Sequence, residues 1–385
     1  MSKILFLVAH PVEDASRRYR IEQFLPLLER AGYECTVSEF STPQLFEALH
    51  SKGKLAAKAF HSIYCSARRV VRLAALSKFD LIFIHREAFP FFTPAFENWV
   101  VSRHGKVVFS FDDAIYAAHP DASLLNHPWL YRFKYGRSLE QVIARSFHVV
   151  AGNRTLEKYA ERFNSKVTVI PTVVDCEKYQ YKPVGDGTRP LVVGWMGSRS
   201  TASYLSSIAP VLRKLAATLP GRVEFRLFGC QDMQLDIPHA TYCPFRLQSE
   251  LPDLRTLDIG LMPMPDSRWT RGKCAFKAIQ YMAMGIPTVA SPVGATQDLI
   301  QHNDNGLLAD SSDQRFEHLQ QLVSGADLRR RISLRARQTI EDNYSLQVWG
   351  PRMVALIDEM CGTSVAPAYR VPKVDQQVGS PALHR

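Results

Sequence analysis

The sequence predicts an α/β protein made of two Rossmann-like, doubly wound domains that face each other across a cleft. Short apolar segments alternate with helical segments in both halves of the chain, and this order produces parallel sheets covered by helices on both faces. A stretch rich in proline and glycine, 182–190, separates the two halves. With 385 residues, 46% of them hydrophobic, the chain is long enough and apolar enough for two full cores.

The first half shows the pattern of a complete doubly wound domain, which we assign to residues 1–182. Its predicted strands are 4–9, 34–38, 81–85, 106–111, 148–151 and 167–170, and its predicted helices are 20–31, 55–77, 94–103, 139–146 and 155–162. Ligands of such a sheet bind beyond the carboxyl ends of the strands. Polar residues that directly follow the strands are therefore candidates for a functional site.

A second domain is predicted for residues 191–345, after a linker at 183–190. Its predicted strands are 191–196, 223–228, 259–262 and 288–290. A helix is predicted for 275–283, because good helix formers fill it and Gly285 and Pro287 follow it. Residues 346–364 are expected to form a C-terminal helix that packs back on the first domain. The proline-containing segment 365–385 is expected to be a disordered tail.

The spacing of the cysteines and the length of the apolar segments indicate in which cellular compartment the protein works. The seven cysteines are scattered and form no C-x-x-C pair, which argues against a zinc site or a disulfide framework and suits a reducing cytosol. The apolar run at 3–9 is too short for a signal peptide, and no run approaches the ~20 residues of a membrane span. We therefore expect a cytoplasmic protein.

The net charge of +10 is concentrated in residues 50–79, which contain no acidic residue. The basic residues there are Lys52, Lys54, Lys58, Arg68, Arg69, Arg72 and Lys78. Apolar residues lie between them, and a basic amphipathic helix of this kind predicts peripheral binding to an anionic membrane surface, on the inner face of the membrane. The alternatives are a nucleic-acid patch or an ordinary solvated helix. No nucleic-acid-binding motif accompanies the charge, so we expect no nucleic-acid partner.

A second basic cluster surrounds the start of the helix predicted for 275–283. Arg271, Lys273 and Lys277 crowd a helix N-terminus, which already carries partial positive charge and binds anions readily. We expect no acid nearby in sequence to compensate them, so the cluster is predicted to be uncompensated. Lys273, Lys277 and Gln280 fall at i, i+4 and i+7 and are predicted to share one helix face. A phosphate at the lysines and a hydroxyl at Gln280 would fit a nucleotide-sugar; the alternative is a solvated basic face.

Several segments, taken together, resemble one known family. They are 169–179 (VIPTVVDCEKY), 194–198 (GWMGS), 257–263 (LDIGLMP), 277–287 (KAIQYMAMGIP), 290–294 (ASPVG) and 305–309 (NGLLA). In this order and at this spacing they resemble the motifs of the retaining glycosyltransferases of family 4, also called group 1, which have the GT-B fold. The resemblance covers nearly the whole chain and is strongest from about residue 165 to 345.

The resemblance implies that the second domain binds a nucleotide-sugar donor. The donor-binding candidates are Gly197, Ser198 and Arg199 in the loop after strand 191–196, Phe245 in the segment that meets the base, Gln280 at the ribose, and Arg271, Lys273 and Lys277 at the diphosphate. Two departures from the family pattern bear on activity. The family's Glu-x7-Glu pair falls on Gly272 and Gln280, and the donor loop carries only Arg199 where an Arg/Lys pair is usual.

The first domain is expected to hold the acceptor. Asp112 and Asp113 follow strand 106–111, where many family members have a His-Asp pair, and they are the catalytic candidates that orient an acceptor hydroxyl. The alternative is that they form a turn or a helix cap. His10 and His85 also follow strands, and Arg18 and Arg20 are predicted to open the first helix. These four residues are further candidates for the acceptor side, and Arg18 and Arg20 could instead meet the donor phosphates.

The predicted function is therefore retaining transfer of a sugar from a nucleotide-sugar to a glycan or lipid-linked glycan, as in the synthesis of cell-surface polysaccharide. The acids form no D-x-D pattern, so neither a metal nor another cofactor is expected. Two other classes stay open. One is a non-catalytic GT-B scaffold or partner subunit, supported by Gln280, and the other is a nucleotide-sugar epimerase or a phosphorylase.

Overall fold

The chain forms two parallel sheets, each with helices on its faces. The structure, a computed structural model, describes residues 1–50, 53, 55–73, 75–90, 94–117, 138–185, 188–233 and 235–363. Within these residues each sheet has six strands, and all the neighbouring strands pair in parallel. The predicted fold class, two Rossmann-like α/β domains, is confirmed.

The N-terminal sheet has the order β2-β1-β3-β4-β5-β6. Its strands are β1 (Lys3–Val8), β2 (Glu34–Glu39), β3 (Leu81–His85), β4 (Val107–Phe111), β5 (His148–Ala151) and β6 (Val167–Val169). The helices around it are α1 (Ala15–Arg20), α2 (Leu25–Arg30), α3 (Pro43–His50), α4 (Leu55–Leu73), α5 (Ala95–Arg103), α6 (138–145) and α7 (Arg154–Ala160). The strand order reverses between β1 and β3, which places a crevice beyond their carboxyl ends.

The C-terminal sheet has the order β12-β11-β10-β7-β8-β9. Its strands are β7 (Leu191–Met196), β8 (Val223–Phe228), β9 (Ala240–Cys243), β10 (Ile259–Met262), β11 (Thr288–Ala290) and β12 (Leu307–Leu308). The helices that follow these strands are α8 (Arg199–Ser206), α9 (Ala209–Thr218), α10 (Glu250–Arg255), α11 (Phe276–Ala283), α12 (Ala295–Leu299), α13 (Ser312–Ser324) and α14 (Ala326–Asn343). The order reverses between β7 and β10, beside α11.

The final helix, α15 (Leu346–Cys361), lies against the N-terminal domain. Its buried residues Met353, Val354 and Ile357 belong to the same core cluster as Ile4 and Phe24. The predicted tail at 365–385 lies outside the described residues. None of the helices in the described part of the chain combines the length and hydropathy that crossing a bilayer requires.

The first predicted helix, 20–31, is wrong in its bounds. The chain forms α1 five residues earlier, capped by Asp14, whose side chain accepts from Arg17 N–H. A short 3₁₀ turn (Glu22–Phe24) follows, and α2 then starts with Pro26 in its first turn. Because proline has no N–H and is suited to a helix start, Pro26 begins a new helix here instead of continuing the old one. Arg18 and Arg20 therefore end α1 and do not open it.

Two strands, β9 and β12, escaped prediction because they are short and lie at the sheet edges, where fewer residues are buried. The strands that were predicted agree with the structure to within a residue or two at each end. Their consecutive apolar residues are buried on both faces, as in β4 and β7. Such runs are typical of parallel strands covered on both sides.

Candidate active site

The N-terminal side of the site is a buried cluster at the carboxyl ends of β3 and β4. Asp112 directly follows β4, and Arg86 directly follows β3 in a left-handed conformation with φ of 58°. The Arg86 Nε donates to Asp112 Oδ1, while Ser16 Oγ donates to Asp112 Oδ2 at 2.7 Å. The imidazole of His85 lies 2.8 Å from Ser16 Oγ and 3.7 Å from Asp112.

The protonation states in this cluster follow from burial and from one arginine. Burial favours the neutral form of Asp112, but the neighbouring Arg86 charge outweighs it and holds the pKa of Asp112 well below its usual range. Burial lowers the pKa of His85 to about 3, even though Asp112 opposes the shift. At neutral pH the site therefore contains an ionised Asp112 and an uncharged His85. Since Ser16 donates to Asp112, its hydroxyl accepts from His85 Nε2–H.

Asp113 connects the two domains. Its Oδ2 lies 2.8 Å from Arg86 Nη2, and its Oδ1 accepts from Lys273 Nζ of the C-terminal domain at 3.0 Å. The prediction that Lys273 is uncompensated is therefore wrong, because its partner lies 160 residues away in sequence. Lys273 also precedes α11 and does not share a helix face with Lys277, since the helix begins at Phe276.

Arg271 is compensated as well. It forms a two-pronged contact with Asp266, with distances of 2.6 and 2.8 Å, and both side chains are more than half exposed. The sequence prediction overlooked this acid five residues upstream. Of the three basic residues predicted to surround the helix start, only Lys277 has no carboxylate among its described contacts.

Lys277 lies at the carboxyl end of β7. Its Nζ donates to Thr201 Oγ1 at 3.1 Å and stands 5.5 Å from the centre of the Trp195 ring. Thr201 is in the first turn of α8 and Lys277 is in the first turn of α11, so two helix N-termini lie side by side. Burial, followed by the nearby Lys273 charge, lowers the pKa of Lys277 to about 7.

The loop after β7 comes into direct contact with Lys277. A Cβ at Gly197 would lie 2.5 Å from Lys277 Cε and 2.5 Å from Trp195 Cζ2, so only glycine fits there. Ser198 is exposed and precedes α8. Arg199 is the first residue of α8, and its side chain lies outside the described residues. Phe245, 39% exposed, lies two residues beyond β9 at the same edge of the sheet.

Gln280 is buried and already has protein partners. Its Nε2 donates to the Tyr179 hydroxyl at 2.7 Å and to Glu250 Oε1 at 2.8 Å. Arg18 Nη2 reaches Glu250 Oε2 from the N-terminal domain at 3.2 Å, and the Tyr19 hydroxyl is 2.6 Å from that of Tyr179. Arg18, a candidate for the acceptor side or the donor phosphates, therefore contacts a residue of the C-terminal domain.

The three remaining candidates for the acceptor side differ in how deeply they are buried. His10 is half-buried, with its ring 5.5 Å from that of Phe46. Arg20 is buried and donates to the carbonyl of Ile170, and its Nη2 lies 3.5 Å from Ser110 Oγ. His85 is also buried. Arg20 and His85 therefore support the floor of the crevice and are not exposed to an acceptor.

The loop between β10 and α11 docks on the N-terminal domain. Asn153 Nδ2 donates to Gly272 O at 2.8 Å, and Cys274 Sγ–H donates to Asp112 O at 3.1 Å. A Cβ at Gly272 would lie 2.5 Å from Ala114 Cβ and 2.8 Å from Ala114 N. The position that resembles the family's first glutamate therefore has no space for any side chain in this arrangement of the domains.

Sequence reasoning missed several residues of the site, namely Ser16, Tyr19, Tyr179, Glu250 and Cys274. Arg86 had a signal, because the segment 85–87 directly follows a predicted strand and was expected to point toward the crevice. Among the described residues, no group of three or more His, Cys, Asp or Glu side chains is placed to hold a metal ion. The absence of a metal or other cofactor stays a prediction.

Two doubly wound domains that face each other along the carboxyl ends of their strands are the arrangement of the GT-B fold. Residues 191–324 match the family model described as "Glycosyl transferases group 1". The resemblance to group 1 glycosyltransferases is thereby confirmed for the C-terminal domain, and assignment to family 4 stays a prediction.

Solved structures share the whole fold at low sequence identity. Sucrose-phosphate synthase from Thermosynechococcus elongatus is 13% identical with a TM-score of 0.70, and the match covers 94% of this chain and 100% of that one. HepE from Anabaena is 16% identical with a TM-score of 0.65, covering 93% and 100%. A glycosyltransferase from Rickettsia africae is 15% identical with a TM-score of 0.66, covering 94% and 99%. No curated protein sequence matches the chain significantly.

Proposed function

We propose that the protein is a retaining glycosyltransferase that moves a sugar from a nucleotide-sugar to a glycan or lipid-linked glycan. The observation that carries this proposal is Lys277. A partly buried lysine that forms no hydrogen bond or ion pair with a carboxylate among the described residues stands between the N-termini of α8 and α11. Each helix N-terminus favours an anion, and a lysine between them is suited to a diphosphate.

Structural neighbours support the choice of ligand. The structures of HepE contain UDP with glucose, UDP alone, or UDP-glucose. Their identity to this chain is too low to transfer a substrate directly. Together with the group 1 match of residues 191–324, they make a nucleoside diphosphate sugar the first donor class to test.

The proposed roles follow the geometry of the two sides. Lys277 and the two helix N-termini stabilise the negative charge that grows on the leaving diphosphate. Asp112 is buried and bound by Arg86 and Ser16, so it holds the crevice together, while Asp113 is more exposed and lies closer to the cleft, between Arg86 and Lys273. Asp113 is therefore the better candidate to orient an acceptor hydroxyl. Transfer is proposed to need no metal.

The experiment combines binding with turnover. Purified protein is titrated with UDP, GDP and ADP by calorimetry, and nucleotide-sugars of the base that binds are incubated with cell-extract acceptors. Release of nucleoside diphosphate that depends on acceptor, with a product of unchanged anomeric configuration by NMR, supports retaining transfer. Failure of all three diphosphates to bind would reject the proposal.

A non-catalytic scaffold is the second candidate, because one specific observation favours it. Gly272 packs on Ala114 with no space for the side chain that the family usually places there. A protein that binds the diphosphate tightly but releases no sugar, with or without acceptor, would be a scaffold of this kind. An epimerase would convert the nucleotide-sugar without any acceptor, and the same incubation distinguishes it.

The location proposed for the enzyme is the inner face of an anionic membrane, through α4. One side of α4 exposes five large apolar side chains: Phe60 (67%), Ile63 (71%), Tyr64 (53%), Val70 (58%) and Val71 (74%). Lys58 and Arg72 are on the same helix, and no acid occurs in its sequence. Exposed apolar residues and basic residues together favour an anionic lipid surface. This position would bring the crevice close to lipid-linked acceptors.

A further inference from the structure

Glu250 is a buried carboxylate that lies between the domains and belongs to none of the sequence motifs. It is the first residue of α10, and its side chain is 8% exposed. Donors reach it from both sides of the cleft. Gln280 donates to its Oε1 at 2.8 Å, and Arg18 and Tyr19 donate to its Oε2 at 3.2 and 3.5 Å.

The hydrogen bonds around Glu250 form a closed ring with a defined direction. Tyr19 donates to Glu250, so the Tyr179 hydroxyl donates to Tyr19 and accepts from Gln280. Gln280 in turn donates its other Nε2–H to Glu250. Both amide protons of Gln280 are therefore used within the protein. What the amide can still offer a ligand is a neutral carbonyl oxygen, whereas the only charged acceptor in the ring is Glu250.

The ring is one helical turn from the proposed diphosphate position. Gln280 follows Lys277 by three residues on α11, so their side chains are neighbours on that helix, about 5–6 Å apart at Cβ. In a nucleoside diphosphate the ribose directly follows the diphosphate, and its two hydroxyls are hydrogen-bond donors. A carboxylate is the strongest acceptor for such donors.

We propose that Glu250 is a ribose-binding residue of the donor site, which accepts a hydrogen bond from a ribose hydroxyl of the nucleotide. The proposal rests on the proposed function, since it takes the diphosphate at Lys277 as its reference point. A carboxylate has about four lone-pair positions. In Glu250 three of them are used, by Gln280, Tyr19 and Arg18. Arg18 neutralises the carboxylate from the other domain, so nucleotide binding and contact between the domains involve the same side chain.

The test compares a nucleotide with its deoxy forms. Affinities of UDP, 2′-deoxy-UDP and 3′-deoxy-UDP, and of the matching GDP and ADP series, are measured by calorimetry. Wild type should prefer the ribonucleotide over at least one deoxy form by about tenfold or more, the range for a hydrogen bond to a charged group. In Glu250→Gln this preference should fall to within about twofold. Glu224→Gln, an exposed glutamate on β8, is the matched control and should keep the preference.

Exchanging the side chains at positions 250 and 280 tests the same assignment by recovery of the ribonucleotide preference as well as by its loss. Gln280→Glu places two carboxylates against each other at the 2.8 Å contact and should weaken nucleotide binding. The double variant Glu250→Gln/Gln280→Glu restores one amide and one carboxylate and should recover the preference for the ribonucleotide at least in part.

The outcomes separate this proposal from the one on which it rests. If wild type binds none of the three diphosphates, the proposed function fails and the assignment of Glu250 fails with it. If wild type binds a diphosphate but does not distinguish ribose from both deoxyriboses, only the assignment of Glu250 is overturned, whether or not the variants fold. An unchanged preference in a folded Glu250→Gln variant overturns it in the same way.

Discussion

Lys277 is the residue on which the proposed chemistry depends most, because its charge state is set by its surroundings. The group is held near a hydroxyl and an aromatic ring, and burial lowers its pKa to about 7. An anion bound there stabilises the charged form of the lysine. Binding of a diphosphate therefore takes up a proton above pH 7 and becomes weaker as the pH rises.

For this residue we predict that the affinity for a nucleoside diphosphate depends on pH with a defined sign. Affinity for the nucleoside diphosphate should be nearly constant just below pH 7 and should fall above it by up to about tenfold per pH unit. Lys277→Ala should weaken binding by about 10- to 150-fold at pH 6.5, which corresponds to about 1.5–3 kcal/mol. Calorimetry at several pH values measures both effects.

Lys277→Arg is the matched control, because arginine stays charged throughout this range. It should bind the diphosphate with a flat profile between pH 7 and 9, where a terminal phosphate has already lost its last proton. A wild-type profile that is equally flat would show that Lys277 does not contact the diphosphate.

Among the elements, the loop between β10 and α11 decides how the two domains meet. It brings Gly272, Lys273 and Cys274 onto the N-terminal domain at Ala114, Asp113 and Asp112. Two of these contacts join polar groups and the third is a close packing contact. A side chain at position 272 cannot be accommodated unless the loop moves away from the segment 112–114 that follows β4.

We predict that Gly272→Ala lowers the free energy of unfolding by about 1–3 kcal/mol, the cost of an overpacked contact. Chemical denaturation measures this value. Gly105→Ala is the control, since a Cβ at Gly105 has nothing within 4 Å, and it should change stability little. Gly272→Glu, which restores the family's residue type, should be at least as disruptive and should not raise turnover. A fully stable Gly272→Ala variant would show that the domains do not keep this contact in solution.

Two arginines of α4, expected to form part of a basic membrane-binding surface, bind backbone groups of the protein instead. Arg69 is buried and donates to Val8 O and Ser38 O, and Arg68 donates to Glu39 O and Phe40 O. These two arginines attach the helix to the sheet and are not available to lipid. Of the other basic residues in the segment 50–79, Arg72 and Lys78 are exposed.

Vesicle flotation tests the membrane role of α4. Wild type should bind vesicles that contain anionic lipid, more weakly as salt increases. The variant Lys58→Glu/Arg72→Glu/Lys78→Glu should lose about two orders of magnitude in partitioning, at about 1 kcal/mol for each basic residue. The control Lys158→Glu/Lys178→Glu/Arg222→Glu has the same net charge and changes exposed positions away from α4. Equal loss of binding in both variants would reject a specific role for α4.

At the scale of the whole molecule, α15 ties the end of the chain to its beginning. The helix follows the C-terminal domain directly, yet Met353, Ile357 and Met360 are buried in the core of the N-terminal domain. Asp358 also accepts from the Tyr33 hydroxyl of that domain. The N-terminal domain is therefore complete only when the last helix has returned to it.

We predict that Ile357→Ala, a fully buried position, lowers the stability of the N-terminal domain by about 2–5 kcal/mol through loss of apolar contacts and the cavity left behind. Thermal denaturation followed by tryptophan fluorescence measures the change. Leu334→Ala is the control on α14, and because Leu334 is 60% exposed its effect should stay within about 0.5 kcal/mol. A similar stability for both variants would show that α15 does not contribute to the N-terminal core.

The sequence by itself determined the alternation of the central buried strands with helices, the two-domain α/β class and the helix whose first turn carries Lys277. These features depend on patterns within about ten residues, such as the apolar runs of β4 and β7 and the Gly285 and Pro287 that follow α11. The same local signals indicated that residues after the strands would line the crevice.

Only the tertiary structure decided which charges are paired. Lys273 meets Asp113 across 160 residues, and Arg18 meets Glu250 across 232. It also placed Gly272 against Ala114 and turned Arg69 inward. Partners at such separations are set by how the elements of the two domains pack against each other, and a buried charge pairs with the opposite charge that this packing brings within reach. Local sequence patterns carry no record of that choice.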